Sequence, residues 1–142
     1  MPKTAPNRCR LLYVEHHAES VELVEQLLAK RKDLRLLHAA DVSLGMKLAR
    51  RSQPEVVLIN VDLPGFDAGL DAVELIKLLR GEPKMQAAPI LALSANATPA
   101  AIVKGLEAGF FHYLAKPIQA GPLMEALDYA LEFAALERSE QT

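Results

Sequence analysis

The chain has 142 residues, of which 51% are hydrophobic and 24% charged, with a formal net charge of −2. That is the make-up of one soluble globular domain with a single core, and the mildly acidic balance argues against nucleic acid as the main partner, which calls for a basic face. No run of about 18 apolar residues offers a membrane span, and the single cysteine, Cys9, excludes an internal disulfide and a cysteine-rich metal site. The N-terminal stretch Met1 to Arg8 has no apolar signal core, so residues 1–9 read as a lead-in and the protein is expected in the cytoplasm.

Short apolar strands alternate with amphipathic helices along the chain. Arg10-Leu11-Leu12-Tyr13-Val14 reads as a strand, and from Ala18 to Arg31 the residues Val21, Val24, Leu27 and Leu28 recur at helical spacing. Leu34 to His38 is a more polar strand, placed nearer a sheet edge. Asp41 to Arg51 reads as a helix carrying Leu44 and Leu48, ended before Pro54. The third strand is Glu55 to Asn60. The next helix is expected to start at Asp71, with Glu74 reaching back as in a capping box, and to bury Val73, Ile76 and Leu79.

Pro89 to Ser94 is a fourth strand. Thr98-Pro99 supplies an N-cap and a proline at the first helical position, with Gly109 as the stop. Phe111 to Leu114 is the fifth strand, and Pro122 opens a last helix with Leu123, Leu127 and Leu131 on one face. Five strands alternating with five helices predict an α/β domain, a doubly wound (βα)5 with a parallel sheet covered on both faces.

In such sheets ligands gather outside the carboxyl ends of the strands. Those ends carry Glu15, His16, Asn60, Ser94 and Lys116, far apart in sequence but brought together by this architecture. Asn60 is the most telling of them. It ends the buried run Val56-Val57-Leu58-Ile59 and opens into Val61-Asp62-Leu63-Pro64-Gly65, a common way to present a reactive group. A carboxylate at that point can be a nucleophile; an amide cannot.

From Arg10 to Phe133 the chain resembles a receiver domain of bacterial two-component response regulators. Leu12-Tyr13-Val14-Glu15 lies where that family has its first strand and acidic pair, and Leu58-Ile59-Asn60-Val61-Asp62-Leu63-Pro64-Gly65 where it has the phosphoacceptor strand and loop. Ala92-Leu93-Ser94-Ala95-Asn96-Ala97 matches the fourth strand with its hydroxyl residue. Gly109-Phe110-Phe111-His112-Tyr113-Leu114-Ala115-Lys116-Pro117-Ile118 matches the fifth strand, its switch aromatic and the Lys-Pro turn. The resemblance implies a flavodoxin-like sheet of order 2-1-3-4-5. It also implies a chemistry in which an aspartate takes a phosphoryl group from a kinase histidine, with Mg²⁺ held by carboxylates. A lysine then contacts the phosphoryl oxygens, a Ser or Thr hydroxyl is drawn inward, and the aromatic of the fifth strand follows.

Against that pattern the scaffold is kept and the chemistry is not. Asn60 stands in place of the nucleophile and His16 in place of the second acid, while Glu15, Ser94, Tyr113 and Lys116 remain. Glu15 and Lys116 nearly cancel, which leaves little hold on Mg²⁺; no cofactor and no metal are expected. Asp62, two residues on, is displaced roughly 6–7 Å along an extended chain and reads as a solvated loop residue. Lys116, before a Pro117 whose peptide bond suits the cis form, is predicted to pair with Glu15. Tyr113 is expected to face the surface of the fifth strand. Phe66 to Gly69 adds about four residues to the loop before the third helix, an extra turn or a reshaped rim.

Two other uses of these residues are conceivable from their chemistry. His16, His17 and Asp62 would suit zinc or copper, though adjacent side chains at a strand-to-helix turn usually diverge, and His16 beside Glu15 and Lys116 would suit a pH sensor. The expectation is a pseudo-receiver over residues 10–136 with a tail at 137–142, not an enzyme, acting in a phosphorelay by contact with a histidine kinase or another signalling protein. A homodimer through the last two helices, and a receiver piece of a hybrid sensor kinase, belong to the same reading. The alternatives are a live receiver, accepting phosphate on Asp62 or another residue, and a flavin-binding domain of similar topology. The latter is disfavoured because His16-His17-Ala18-Glu19 lacks the small residues that cradle a phosphate.

Overall fold

A computed structural model describes residues 9–62 and 72–141. The capping pair at Asp71 and the Phe66–Gly69 insertion lie outside them, as does the side chain of Val73. Five strands, β1 (Cys9–Val14), β2 (Leu34–Ala39), β3 (Val56–Asn60), β4 (Ile90–Ser94) and β5 (His112–Ala115), form one sheet of order β2-β1-β3-β4-β5. Every pairing is parallel, with Leu11 beside Val56, Ile59 beside Ala92 and Ser94 beside Ala115. The helices are α1 (Ala18–Leu28), α2 (Val42–Ser52), α3 (Ala72–Arg80), α4 (Pro99–Ala108) and α5 (Ala120–Gln141), with a short 3-10 helix at Pro83–Met85. The predicted fold class and strand order are those observed.

Alternation along the strands explains two cores, because successive side chains point to opposite faces of the sheet. Leu12, Val14, Val57, Ile59, Ile90 and Ala92 pack with Met46, Ala49, Ile76, Leu79 and Phe110 on one side. Leu11, Tyr13, Leu58, Leu91 and Leu93 pack with Val21, Val24, Leu123 and Leu127 on the other. β3 and β4 are buried at every residue, as central strands covered on both faces must be. β2 and β5 are the edges and mix buried with exposed residues.

The helix ends follow the sequence closely. Asp41 caps α2 by accepting from the Leu44 amide at 2.8 Å, and Thr98 caps α4 by accepting from that of Ala101 at 3.2 Å. Gly109 closes α4 with φ of 120°, a conformation that side chains rarely adopt.

Two helices differ from expectation. α2 buries Gly45, Met46 and Ala49 and leaves Leu44 largely exposed. Gly45 sets this face, since a Cβ there would meet Val14 Cγ2 at 3.1 Å. α5 starts at Ala120 rather than Pro122 and continues to Gln141, through the segment read as a tail. Its buried stripe is Leu123, Ala126, Leu127, Ala130 and Ala134, with Leu131 only partly covered.

Candidate functional site

The carboxyl ends of β1, β3, β4 and β5 deliver Glu15, Asn60, Ser94 and Lys116 to one cleft. Glu15, Asn60 and Ser94 are the buried polar or charged side chains among the described residues, at 0%, 1% and 2% exposure. Burial at this level demands hydrogen-bond partners, and all three have them.

Glu15 is saturated with donors. Its Oε2 accepts from the backbone N–H of His16 at 3.0 Å and of His17 at 3.2 Å, and from Asn60 Nδ2 at 2.8 Å. Its Oε1 accepts from the Tyr13 hydroxyl at 3.1 Å. Tyr13 is fully buried, and its burial, reinforced by the adjacent Glu15 carboxylate, raises the phenol well above its ordinary pKa. His38 at the end of β2 adds a 2.7 Å contact from Nε2 to the Glu15 carbonyl oxygen. His16 Nδ1 lies 3.5 Å from Glu15 Oε2. The His16 and His17 rings do not diverge as expected: their centroids are 3.9 Å apart.

Asn60 bridges opposite charges. While its Nδ2 donates to Glu15, its Oδ1 accepts from Lys116 Nζ at 2.8 Å and from the Asp62 backbone N–H at 2.9 Å. The amide dipole therefore runs from anion to cation. An aspartate in the same place would set a second carboxylate oxygen against Glu15.

Lys116 and Asp62 both differ from expectation. Lys116 does not pair with Glu15; the Asn60 amide stands between them, and the Nζ reaches Asp62 Oδ2 at 3.0 Å. Asp62 is not a detached loop carboxylate either. The backbone turns back on itself after Asn60, as the Asp62 N–H bond to Asn60 Oδ1 requires. Asp62 Oδ1 then accepts from Ser94 Oγ at 3.0 Å, and Oδ2 from the Ala95 N–H at 2.7 Å. Partial burial acts to raise the Asp62 pKa, but the Ala95 amide, Lys116 and Ser94 outweigh it and hold the carboxyl below its ordinary range. The cleft thus contains two carboxylates and one ammonium, not one of each.

Ser94 passes the contact on, its Oγ accepting from the Asn96 N–H at 3.0 Å. The Asn96 carbonyl accepts from the Tyr113 hydroxyl at 3.1 Å. Tyr113 is half-buried, its ring packed against the core rather than free on the surface of the fifth strand as expected. Its ring packs edge-on to Phe110 at 6.4 Å and lies against α4 at Gly105, where a Cβ would come within 2.5 Å of Tyr113 Cδ2. The Lys116–Pro117 peptide bond is cis.

Five strands in this order, with an acidic residue after β1, a polar residue ending β3, a hydroxyl ending β4 and a lysine after β5, define a signalling receiver domain. The model of the response regulator receiver domain matches residues 11–128, and the chain belongs to that family. It acts in two-component signalling, in which receiver domains engage proteins such as histidine kinases. The flavin-binding alternative gives way to this match.

The transcriptional regulatory protein CseB of Streptomyces coelicolor is 30% identical over 118 residues, 83% of this chain and 47% of CseB. The hybrid signal transduction histidine kinase G of Dictyostelium discoideum is 30% identical over 117 residues, 82% of this chain and 3% of the kinase. This chain therefore spans about half the length of CseB, or less of other relatives. Among solved structures, the receiver domain of the sensor histidine kinase PA1611 from Pseudomonas aeruginosa superposes with a TM-score of 0.74 and 26% identity. The match covers 88% of this chain and 98% of that domain, whose active-site cleft coordinates a magnesium ion. Among the described residues of the present chain, no helix is long and apolar enough to cross a membrane.

Proposed function

We propose that this receiver module signals through protein contacts and does not accept a phosphoryl group at Asn60. The observation that carries the reading is the Asn60 amide, locked between Glu15 and Lys116 by bonds of 2.8 Å at each end. Its nitrogen lone pair is delocalised and its oxygen uncharged, so the position that would attack the phosphorus carries no nucleophile.

The cleft also suits Mg²⁺ poorly. That ion wants hard, charged oxygens converging on one octahedron. Glu15 already accepts four hydrogen bonds, Asp62 is turned toward Ser94, Ala95 and Lys116, and the Asn60 amide lies between Glu15 and Lys116. Asp62 is a poor substitute nucleophile for the same reason, because both of its oxygens are engaged. No catalytic activity is assigned to the chain.

The partner would be a histidine kinase or another signalling protein, whether the module acts alone or within a hybrid kinase. A second copy docked through α4 and α5 is a further form of the same reading, supported by Tyr129, Phe133 and Leu136, which stand exposed on α5. The test is intact mass after incubation with acetyl phosphate and Mg²⁺. The proposal expects an unchanged mass, and a stoichiometric phosphoryl adduct would contradict it.

A further inference from the structure

Three donors from separate segments converge on Asp62: the Ser94 hydroxyl and the Ala95 amide at the end of β4, and the Lys116 ammonium after β5. A lysine, a strand-end hydroxyl and a free amide aimed at one point form a site for a small anion. In this chain the anion is supplied from within. We propose that Asp62 serves as a resident substitute for a phosphoryl group, latching the loop between β4 and α4, and with it Tyr113, in the inward position without covalent modification.

The latch is continuous from the carboxylate to α4. Ser94 has one hydroxyl proton, and giving it to Asp62 Oδ1 leaves its lone pairs to accept from the Asn96 amide. Asn96 so fixed presents its carbonyl to the Tyr113 hydroxyl and its side-chain oxygen to Thr98 Oγ1 at 3.2 Å. Thr98 in turn caps α4. Asn60 contributes at the other end, because its Oδ1 holds the Asp62 amide and sets the turn that brings the carboxylate back over the cleft.

Gly105 completes the arrangement by leaving room for the Tyr113 ring on α4. The proposal rests on the reading of Asn60 as an unmodified position, and it adds what holds the switch there. It names Asp62, Ser94 and Asn96 as positioning residues and Tyr113 as the group positioned.

The experiment is amide hydrogen exchange and ¹H–¹⁵N spectroscopy on the full chain, with Asp62→Ala and Ser94→Ala as variants. In the wild type, the Ala95 amide should be protected despite lying on an exposed loop. In Asp62→Ala it should exchange about tenfold faster or more, while Asn96, Thr98 and the Tyr113 ring shift together. In Ser94→Ala, Asn96 and Tyr113 should move while Ala95 keeps its protection. Should Asp62→Ala fail to fold, the Ser94→Ala result decides in the same way.

An Ala95 amide that exchanges freely in the wild type overturns the latch without any variant. So does a folded variant in which Asn96 and Tyr113 stay in place. Intact mass after acetyl phosphate treatment of the same wild-type sample separates the two proposals. An adduct removes the reading of an unmodified site, whereas lost latch signatures without an adduct remove only the latch.

Discussion

At the scale of single residues, one atom exchange governs the cleft. Asn60 offers N–H to Glu15 and C=O to Lys116, so a buried carboxylate and a partly buried ammonium are both satisfied by a neutral bridge. Asn60→Asp keeps the shape and replaces the donor by a second charge against a fully buried acid. It should cost about 3 kcal/mol at neutral pH, the order expected when a buried charge loses its partner. Addition of His16→Asp to that variant should create a carboxylate cluster and make its melting temperature rise with Mg²⁺. Chemical denaturation and thermal melts check both; an Asn60→Asp protein as stable as the wild type would show that the bridge contributes nothing. The candidate residues Glu15, His16, Asn60, Ser94 and Lys116 were legible in the sequence because they end strands. The role of Asp62 was not, because two residues of extended chain would carry it away. The turn closed by the Asn60 carbonyl instead brings it back, and a side-chain-to-backbone bond of that kind leaves no mark in hydrophobic periodicity.

At the scale of elements, β3 and β4 were easy to read because a strand buried on both faces is an unbroken apolar run. The cap at Thr98 was equally plain, a short polar side chain before a proline, whereas Asp41, read as the first helical residue, instead caps α2. The buried face of α2 is not marked by its leucines, because Gly45 is what lets the helix approach Val14. The seat of Tyr113 is hidden from the sequence for a related reason: it exists only because Gly105, eight residues earlier on α4, lacks a side chain. Gly105→Ala should therefore expel the tyrosine ring. The improved helix propensity, about 1 kcal/mol, offsets part of an overpacking cost of about 1–3 kcal/mol, so the net loss of stability should be small. The Tyr113 bond to Asn96 should break while the Asp62 bonds to Ser94 and Ala95 persist, which ring and amide resonances will report. An unmoved ring would mean that α4 itself shifts to make room.

At the scale of the whole molecule, the sheet brings together four strand ends and arranges their residues so that the buried polar groups of the cleft are hydrogen-bonded to one another. The Asn60 amide links the Glu15 carboxylate to the Lys116 ammonium, Asp62 pairs with that ammonium directly, and among the described residues no buried side-chain nitrogen or oxygen lacks a partner. On the proposed reading, a cleft so filled gains little from a metal ion or a phosphoryl group. The most direct measurement is the ¹H–¹⁵N amide spectrum of the full chain before and after Mg²⁺ with beryllofluoride, a stable phosphoryl analogue. The spectra should superimpose, with Ser94 to Thr98 and Tyr113 unmoved. Saturable shifts spreading from Asn60 through Ser94 to α4 and Tyr113 would contradict it.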